Sequence, residues 1–316
     1  MNYDDRYQTA LDTLNDSETS AEGVAMMKEV AEAGDTRAMC DYGLLFITPG
    51  APVTQNSDEA FRWFLMAAEH SDDRGQFYVG KAYYDGQIVK QDYIQASKWF
   101  TLSAEKGYAI AQYYLGHMYY YGNGVPKDMA EALRWFKLSV DRQCNQARIA
   151  LGDILADESY EGADILRAYS LYKSAMDDDY PPGFYKVGMM YYEGKGTPQN
   201  HIYASKIFRR GNELEDNDCC FMLGKMYYYG YGVEKDKVYG KRYIAIAEQN
   251  GSEEARDFLD SIDRTRKQQR GWNGATPALI PVEVLKTPDL LHKEPEEFRG
   301  PGQAPVKKRR FSLFRR

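Results

Sequence analysis

Ala111-Gln-Tyr-Tyr-Leu-Gly116-His-Met-Tyr-Tyr-Tyr-Gly122-Asn-Gly124-Val-Pro-Lys-Asp128-Met-Ala-Glu-Ala132-Leu-Arg-Trp135-Phe136 is the stretch that decides how this chain folds. Ala111, Leu115, Gly116 and Tyr119 recur at helical spacing and share one helix face. Gly122-Asn-Gly124-Val125 then ends that helix, because glycine reaches the positive φ of a sharp helix stop. Asp128 has the side chain of an N-cap, whose oxygen accepts an orphan N–H of the next first turn. Beyond it Ala132, Trp135, Phe136 and Ser139 again fall at helical spacing. The unit is helix, glycine turn, helix.

The unit repeats. Gly116 belongs to a column Gly43, Gly80, Gly116, Gly152, Gly188, Gly224, with one step of 37 residues followed by four of 36. Chains with a fixed step of this length are stacked repeat arrays, which expose extended surfaces and no enclosed pocket. Other columns keep the step. A large apolar residue stands at Trp63, Trp99, Trp135, Leu171, Ile207 and Tyr243, and a small one three positions earlier at Ala60, Ala96, Ala132, Ala168, Ala204 and Gly240. Asn56, Asp92, Asp128, Asp164, Asn200 and Asp236 form the cap column. Glycine turns recur at Gly86, Gly194-Lys195-Gly196 and Gly230-Tyr231-Gly232-Val233. The fourth unit departs, with Asp157-Glu-Ser-Tyr-Glu-Gly162 in place of the glycine turn and Leu171 in place of Trp, and the first carries Thr48-Pro-Gly-Ala-Pro-Val53 and one extra residue. Both leave the register intact.

Leu-Gly, Tyr, Gly-x-Gly-Val, Asp, Ala and Trp recur together over residues 36–260, and in this the chain resembles the Sel1-like repeat family, relatives of tetratricopeptide repeats with a longer inter-helix loop. The fold expected is an all-α, right-handed α-solenoid of about seven helix–turn–helix repeats. The family chiefly builds complexes and regulates signalling, so the resemblance implies a non-enzymatic scaffold or adaptor for a protein or peptide. Some secreted Sel1-like proteins place a cysteine pair in each repeat. Here Cys40, Cys144, Cys219 and Cys220 keep no repeated spacing and read as buried free thiols.

Three regions follow. Residues 1–35 read as a degenerate initial helix pair, with helical segments at 2–15 and 20–33. Residues 36–263 read as the repeat array, closed by a capping helix from Ser252 whose outer face is polar. Residues 264–316 hold six of the twelve prolines and read as a disordered tail. The net charge of −7 is unevenly spread: 13 basic against 5 acidic residues give the tail +8, leaving the body at −15. An acidic body disfavours nucleic acid as a partner. No apolar run approaches the roughly 18 residues of a membrane span, and the acidic Met1-Asn-Tyr-Asp-Asp-Arg lacks the apolar core of a signal peptide. A cytoplasmic protein is expected.

With the repeat glycine as zero, positions −5, −1, 0 and +3 of each first helix are expected to pack on neighbours. Positions −3, +1 and +4 share another face, which lines the concave side of tetratricopeptide-like stacks. Position +4 carries Tyr84, Tyr120, Tyr192 and Tyr228, and position −3 carries Phe77, Tyr113, Tyr185 and Phe221. An aromatic ladder of this kind suits peptide binding, since tyrosine offers a large contact area, a polar tip and little entropy to lose. The alternative is that these rings pack between adjacent repeats. The tail ends in Lys307, Lys308, Arg309, Arg310, Phe311, Ser312, Leu313, Phe314, Arg315 and Arg316. It reads as a solvated charge run, as a motif docking on a partner or on the acidic body, or as an anchor for an anionic membrane. The last of these makes a peripheral membrane tether the alternative function, and a hydrolase is a remote one. No nucleophile–base pair, phosphate loop or metal-ligand spacing stands out, so no catalytic residue, metal, cofactor or small-molecule substrate is expected.

Overall fold

The computed structural model describes residues 3–16 and 19–269. Among them run fifteen α-helices. An initial pair, α1 (Tyr3–Asn15) and α2 (Ser20–Glu32), precedes six pairs. These are α3 (Thr36–Leu45) with α4 (Ser57–Glu69), α5 (Asp73–Asp85) with α6 (Tyr93–Glu105), and α7 (Ala109–Tyr121) with α8 (Met129–Asp141). They continue with α9 (Asn145–Ala156) and α10 (Ile165–Asp177), α11 (Pro181–Glu193) and α12 (His201–Glu213), and α13 (Asn217–Tyr229) and α14 (Lys237–Gln249). A last helix, α15 (Glu253–Gln269), follows. The fold is an all-α repeat array.

Local chemistry sets the helix ends. All six residues of the Asn/Asp column cap a second helix: Asp128, for example, accepts from the N–H groups of Ala130 and Glu131 at 2.9 and 3.0 Å, and Asn56, Asp92, Asp164, Asn200 and Asp236 do the same for theirs. Four of the first helices, α5, α7, α11 and α13, end at a left-handed glycine, with φ of 82° at Gly122 and 83° at Gly230, whereas α3 ends at Phe46 with φ of −72°. The fourth unit also lacks that glycine, and α9 stops one residue short of those four. Its register survives because Asp164 N–H still donates to the Leu155 carbonyl at 2.8 Å, as Asp128 N–H does to Tyr119 at 2.9 Å.

The periodic glycine is a packing device. Across each pair it lies against a residue twenty positions on, or twenty-one in the first: Gly43 on Phe64, Gly80 on Phe100, Gly116 on Phe136, Gly152 on Tyr172, Gly188 on Phe208 and Gly224 on Ile244. A methyl built on Gly116 would sit 2.8 Å from the Phe136 ring, and one on Gly188 would sit 2.4 Å from Phe208. The rings are fully buried, and the second helix is brought close by the small column Ala60, Ala96, Ala132, Ala168 and Ala204, none of which is exposed.

The described residues divide at Leu151–Gly152 into two compact units. In the first, the core gathers Phe64, Phe100, Phe136, Leu115 and Met118, and a polar network joins its first helices. Asp41, 1% exposed, is ion-paired with Arg74 and accepts from the Tyr7 hydroxyl at 2.5 Å. Burial, then the hydrogen bond to Asp41, pushes the Tyr7 phenol up to about 12. In the second unit, Cys220, Ile244, Ala247 and Ala255 form a core that Phe221, Tyr243 and Phe258 cover.

One expectation is corrected. The packed face of the first helices is wider than positions −5, −1, 0 and +3. Position −4 (Met39, Gln76, Gln112, Phe184, Cys220) and position +2 (Leu45, Ala82, Met118, Ile154, Met190, Met226) are buried too. The cause is that a first helix meets three others: α5 packs on α3, α4 and α6, and α13 on α11, α12 and α14.

Candidate binding face

The first helices place one aromatic residue before the glycine and one after it, and the structure sorts the eight. Phe77 leaves the set. It is 5% exposed and packs on Phe100 at 5.8 Å, Tyr108 at 5.3 Å and Tyr114 at 5.6 Å, so it is a core residue and not a partner contact. Its burial comes from Tyr108 and Tyr114 of the next repeat, which close over it. Cys40, at the same position one repeat earlier, is buried as well.

The other seven are half-exposed. In the first unit Tyr84 meets Tyr93 at 5.3 Å, Tyr114 at 5.5 Å and Phe100 at 6.0 Å. Tyr113 stands edge-on to His117 at 4.7 Å. Tyr120 lies against Tyr121 at 4.8 Å, with the Lys127 ammonium 5.9 Å from its ring centre. In the second unit Tyr185 touches Phe208 at 6.4 Å, and burial, then the carboxylate of Asp218, pushes its phenol up to about 12. Tyr192 meets His201 at 5.1 Å and Tyr231 at 6.2 Å. Phe221 and Tyr228 flank Phe258 at 6.1 and 5.6 Å, with Lys225 and Lys237 over their rings at 5.2 and 5.4 Å. Within each unit this is a surface of ring edges with cations beside them, suited to flat, apolar and carbonyl-rich ligands.

Three exposed tyrosines belong with these and were not picked out by position: Tyr121 at 60%, Tyr229 at 43% and Tyr231 at 42%. The runs Tyr119-Tyr120-Tyr121 and Tyr227-Tyr228-Tyr229 carry the signal, since three successive helix positions cannot all point inward. His117 stacks on Tyr121 at 5.5 Å, and burial holds its imidazole below the usual range.

Reactive chemistry is subdued. Cys40, Cys144, Cys219 and Cys220 are buried free thiols, and burial raises Cys40 and Cys219, with Cys220 pushed up to about 12. Among the described residues no group of three or more His, Cys, Asp or Glu is arranged to hold a metal ion. No helix there is long and apolar enough to cross a membrane. The basic motif Lys307–Arg316 and the proline-rich segment before it lie outside the described residues.

The Sel1 repeat pattern matches five segments, residues 36–72, 73–108, 109–143, 185–216 and 217–252, more than half of the chain. The chain belongs to the Sel1 repeat family. Within this Sel1 repeat protein the segment between residues 143 and 185, which holds the departed fourth unit, carries no match. No curated protein sequence matches the chain. Among solved structures it is similar to a protective antigen of uropathogenic Escherichia coli strains displaying an SLR fold. The two share 28% identity at a TM-score of 0.62, over 80% of this chain and 53% of the antigen. This Sel1 repeat protein thus spans about half the length of that antigen. A Sel1 repeat protein from Oxalobacter formigenes shares the fold at 21% identity and a TM-score of 0.68, over 79% of this chain and 99% of its own. An immunity protein from Pseudomonas aeruginosa shares it at 15% identity and a TM-score of 0.50, over 69% and 82%.

Proposed function

We propose that this Sel1 repeat protein is a non-enzymatic scaffold that holds a protein or peptide partner on the aromatic face of its first helices. The supporting observation is the half-exposure of Tyr84, Tyr113, Tyr120, Tyr185, Tyr192, Phe221 and Tyr228, one ring after another at recurring positions. A partly exposed ring retains apolar area that a partner can cover, about 25 cal/mol for each Å² buried. Tyr121 adds to these rings in the first unit, and Tyr229 and Tyr231 do so in the second. Helical repeat arrays offer such extended surfaces for binding proteins. We place this activity in the cytoplasm, where reducing conditions keep thiols such as the four buried ones reduced.

Affinity capture from native lysate tests this, with two baits: the full chain and a chain ending at Pro305. A partner common to both baits that is lost with Tyr120→Ala plus Tyr192→Ala supports the aromatic face, provided the variant melts within about 4 °C of the parent, the shift expected for ~1–2 kcal/mol in a chain of this size. Retention of the partner by the double variant refutes it. Loss of the partner on truncation moves recognition to the basic tail, and with it to the membrane-tether alternative.

A further inference from the structure

The fourth repeat departs from the others in a second way: position +4, tyrosine in four repeats, is Ala156. Beside Ala156 lies a cavity of about 260 Å³, also lined by Ile165, Tyr172, Lys186, Met189 and Lys195 among others. These residues fall in register with the surroundings of Tyr84 two repeats earlier. The Tyr84 ring touches Tyr93, Phe100 and Tyr114, and seventy-two residues on from these and from Tyr84 itself stand Ile165, Tyr172, Lys186 and Ala156. The correspondence includes the phenolic end. The Asn123 side chain lies by the Tyr84 hydroxyl, whose pKa burial raises and Asn123 draws back, and its counterpart here is Lys195. Within the same unit, Tyr192 meets His201 and Tyr231, each one repeat beyond Ile165 and Lys195. The cavity thus lies, in the register of the repeat, where the Tyr84 ring lies two repeats earlier.

We propose that this cavity is a receptor for one tyrosine side chain of a partner segment, a specificity pocket within the aromatic face; the proposal rests on the scaffold reading above. The volume is sufficient, since an apolar cavity of about 150 Å³ accepts benzene. One side of the wall is apolar, made of the Tyr172 ring, the flexible thioethers of Met189 and Met190, and Ile165, and the charged side chains of Asp153, Asp157, Lys186, Glu193 and Lys195 complete it. The polar groups select for a phenol over a plain ring. Asp153 is fixed by the Tyr172 hydroxyl at 2.6 Å and by Lys186 at 2.7 Å, both on Oδ1. Lys195, 3.6 Å from Glu193, stands in the repeat where Asn123 does beside Tyr84. Asp153 and Lys195 both line the cavity, so its wall offers an acceptor and a donor to an incoming hydroxyl and neither is satisfied by a phenyl ring.

The test is methyl NMR of the full chain labelled at methionine, titrated with 4-methylphenol and separately with toluene. The expected result is a saturable shift of the Met189 and Met190 methyls with 4-methylphenol at about 1–10 mM, the range open to so small a ligand, and at least about fivefold weaker binding of toluene. Ala156→Tyr fills the cavity and abolishes the shift; Ala156→Leu, a smaller filling, weakens it and serves if the tyrosine variant does not fold. Absence of saturation, or saturation that persists in the filled variants, overturns the proposal. Equal binding of toluene overturns the assignment to tyrosine. Saturable 4-methylphenol binding together with partner capture that survives Tyr120→Ala plus Tyr192→Ala would leave the pocket standing and the aromatic-face reading refuted. The reverse pattern would remove the pocket alone.

Discussion

Replacing Gly188 by alanine isolates the contact on which each repeat closes. Two opposing effects act. Alanine in a helix interior is favoured over glycine by about 1 kcal/mol. Against this, the new methyl would stand 2.4, 2.8 and 2.9 Å from three atoms of the Phe208 ring, more than 0.5 Å inside ordinary carbon contact at ~3.5–4.0 Å. Phe208 is 0% exposed, so its ring can move only by displacing packed neighbours. Overpacking of this kind costs about 1–3 kcal/mol, so Gly188→Ala is expected to destabilise by up to ~2 kcal/mol net. Phe208→Leu alone removes ring atoms from a filled core and costs about 1–3 kcal/mol by the same reasoning that governs large-to-small changes. Together the two changes relieve each other, and their combined cost falls short of the sum by at least ~1 kcal/mol. Urea unfolding of the four proteins, followed by circular dichroism at 222 nm, measures the cycle. Additivity within about 0.5 kcal/mol, or a Gly188→Ala variant more stable than the parent, would refute the claim that the periodic glycine is kept for the ring.

Two further outcomes are expected. The corner from each second helix to the next first helix uses left-handed backbone at one recurring position: Gly34, Gly107 and Gly251 hold it with glycine, whereas Ser71, Gln143, Asp179 and Glu215 hold φ between 55° and 63° with side chains. Gln143→Gly and Glu215→Gly should each raise stability by about 0.5–1 kcal/mol, the left-handed cost of ~1–2 kcal/mol less the entropy of a glycine; a fall in the urea midpoint of either variant would count against it. His117 sets a pH dependence. Burial lowers its pKa below the ordinary 6.5 in the folded chain, so its contribution is present above pH 6.5 and is lost as pH falls below that value, because the unfolded chain binds the proton first. The slope of stability between pH 6.5 and 5 should be shallower in His117→Gln, and an unchanged slope would show that other groups carry it.

The sequence by itself determined the repeat, and the reason is that its devices act within one repeat. A cap such as Asp128 bonds N–H groups two and three residues away, and a stop such as Gly122 depends on its own φ. Even the altered fourth turn kept its register, because Leu155 and Asp164 lie in one repeat and close the same hydrogen bond as elsewhere. The pairing of each glycine with a large side chain about twenty residues on was also present, as the column Phe64, Phe100, Phe136, Tyr172, Phe208, Ile244, but its purpose shows only when two helices are brought together. Which aromatic side chains stay partly exposed was decided by tertiary structure alone. Phe77, Tyr113, Tyr185 and Phe221 hold one position in the repeat, yet Phe77 is sealed in the core because Tyr108 and Tyr114 of the following repeat lie over it. The cavity at Ala156 was invisible for the same reason. Its walls come from two repeats, and a missing ring leaves a space only where its neighbours have kept their places.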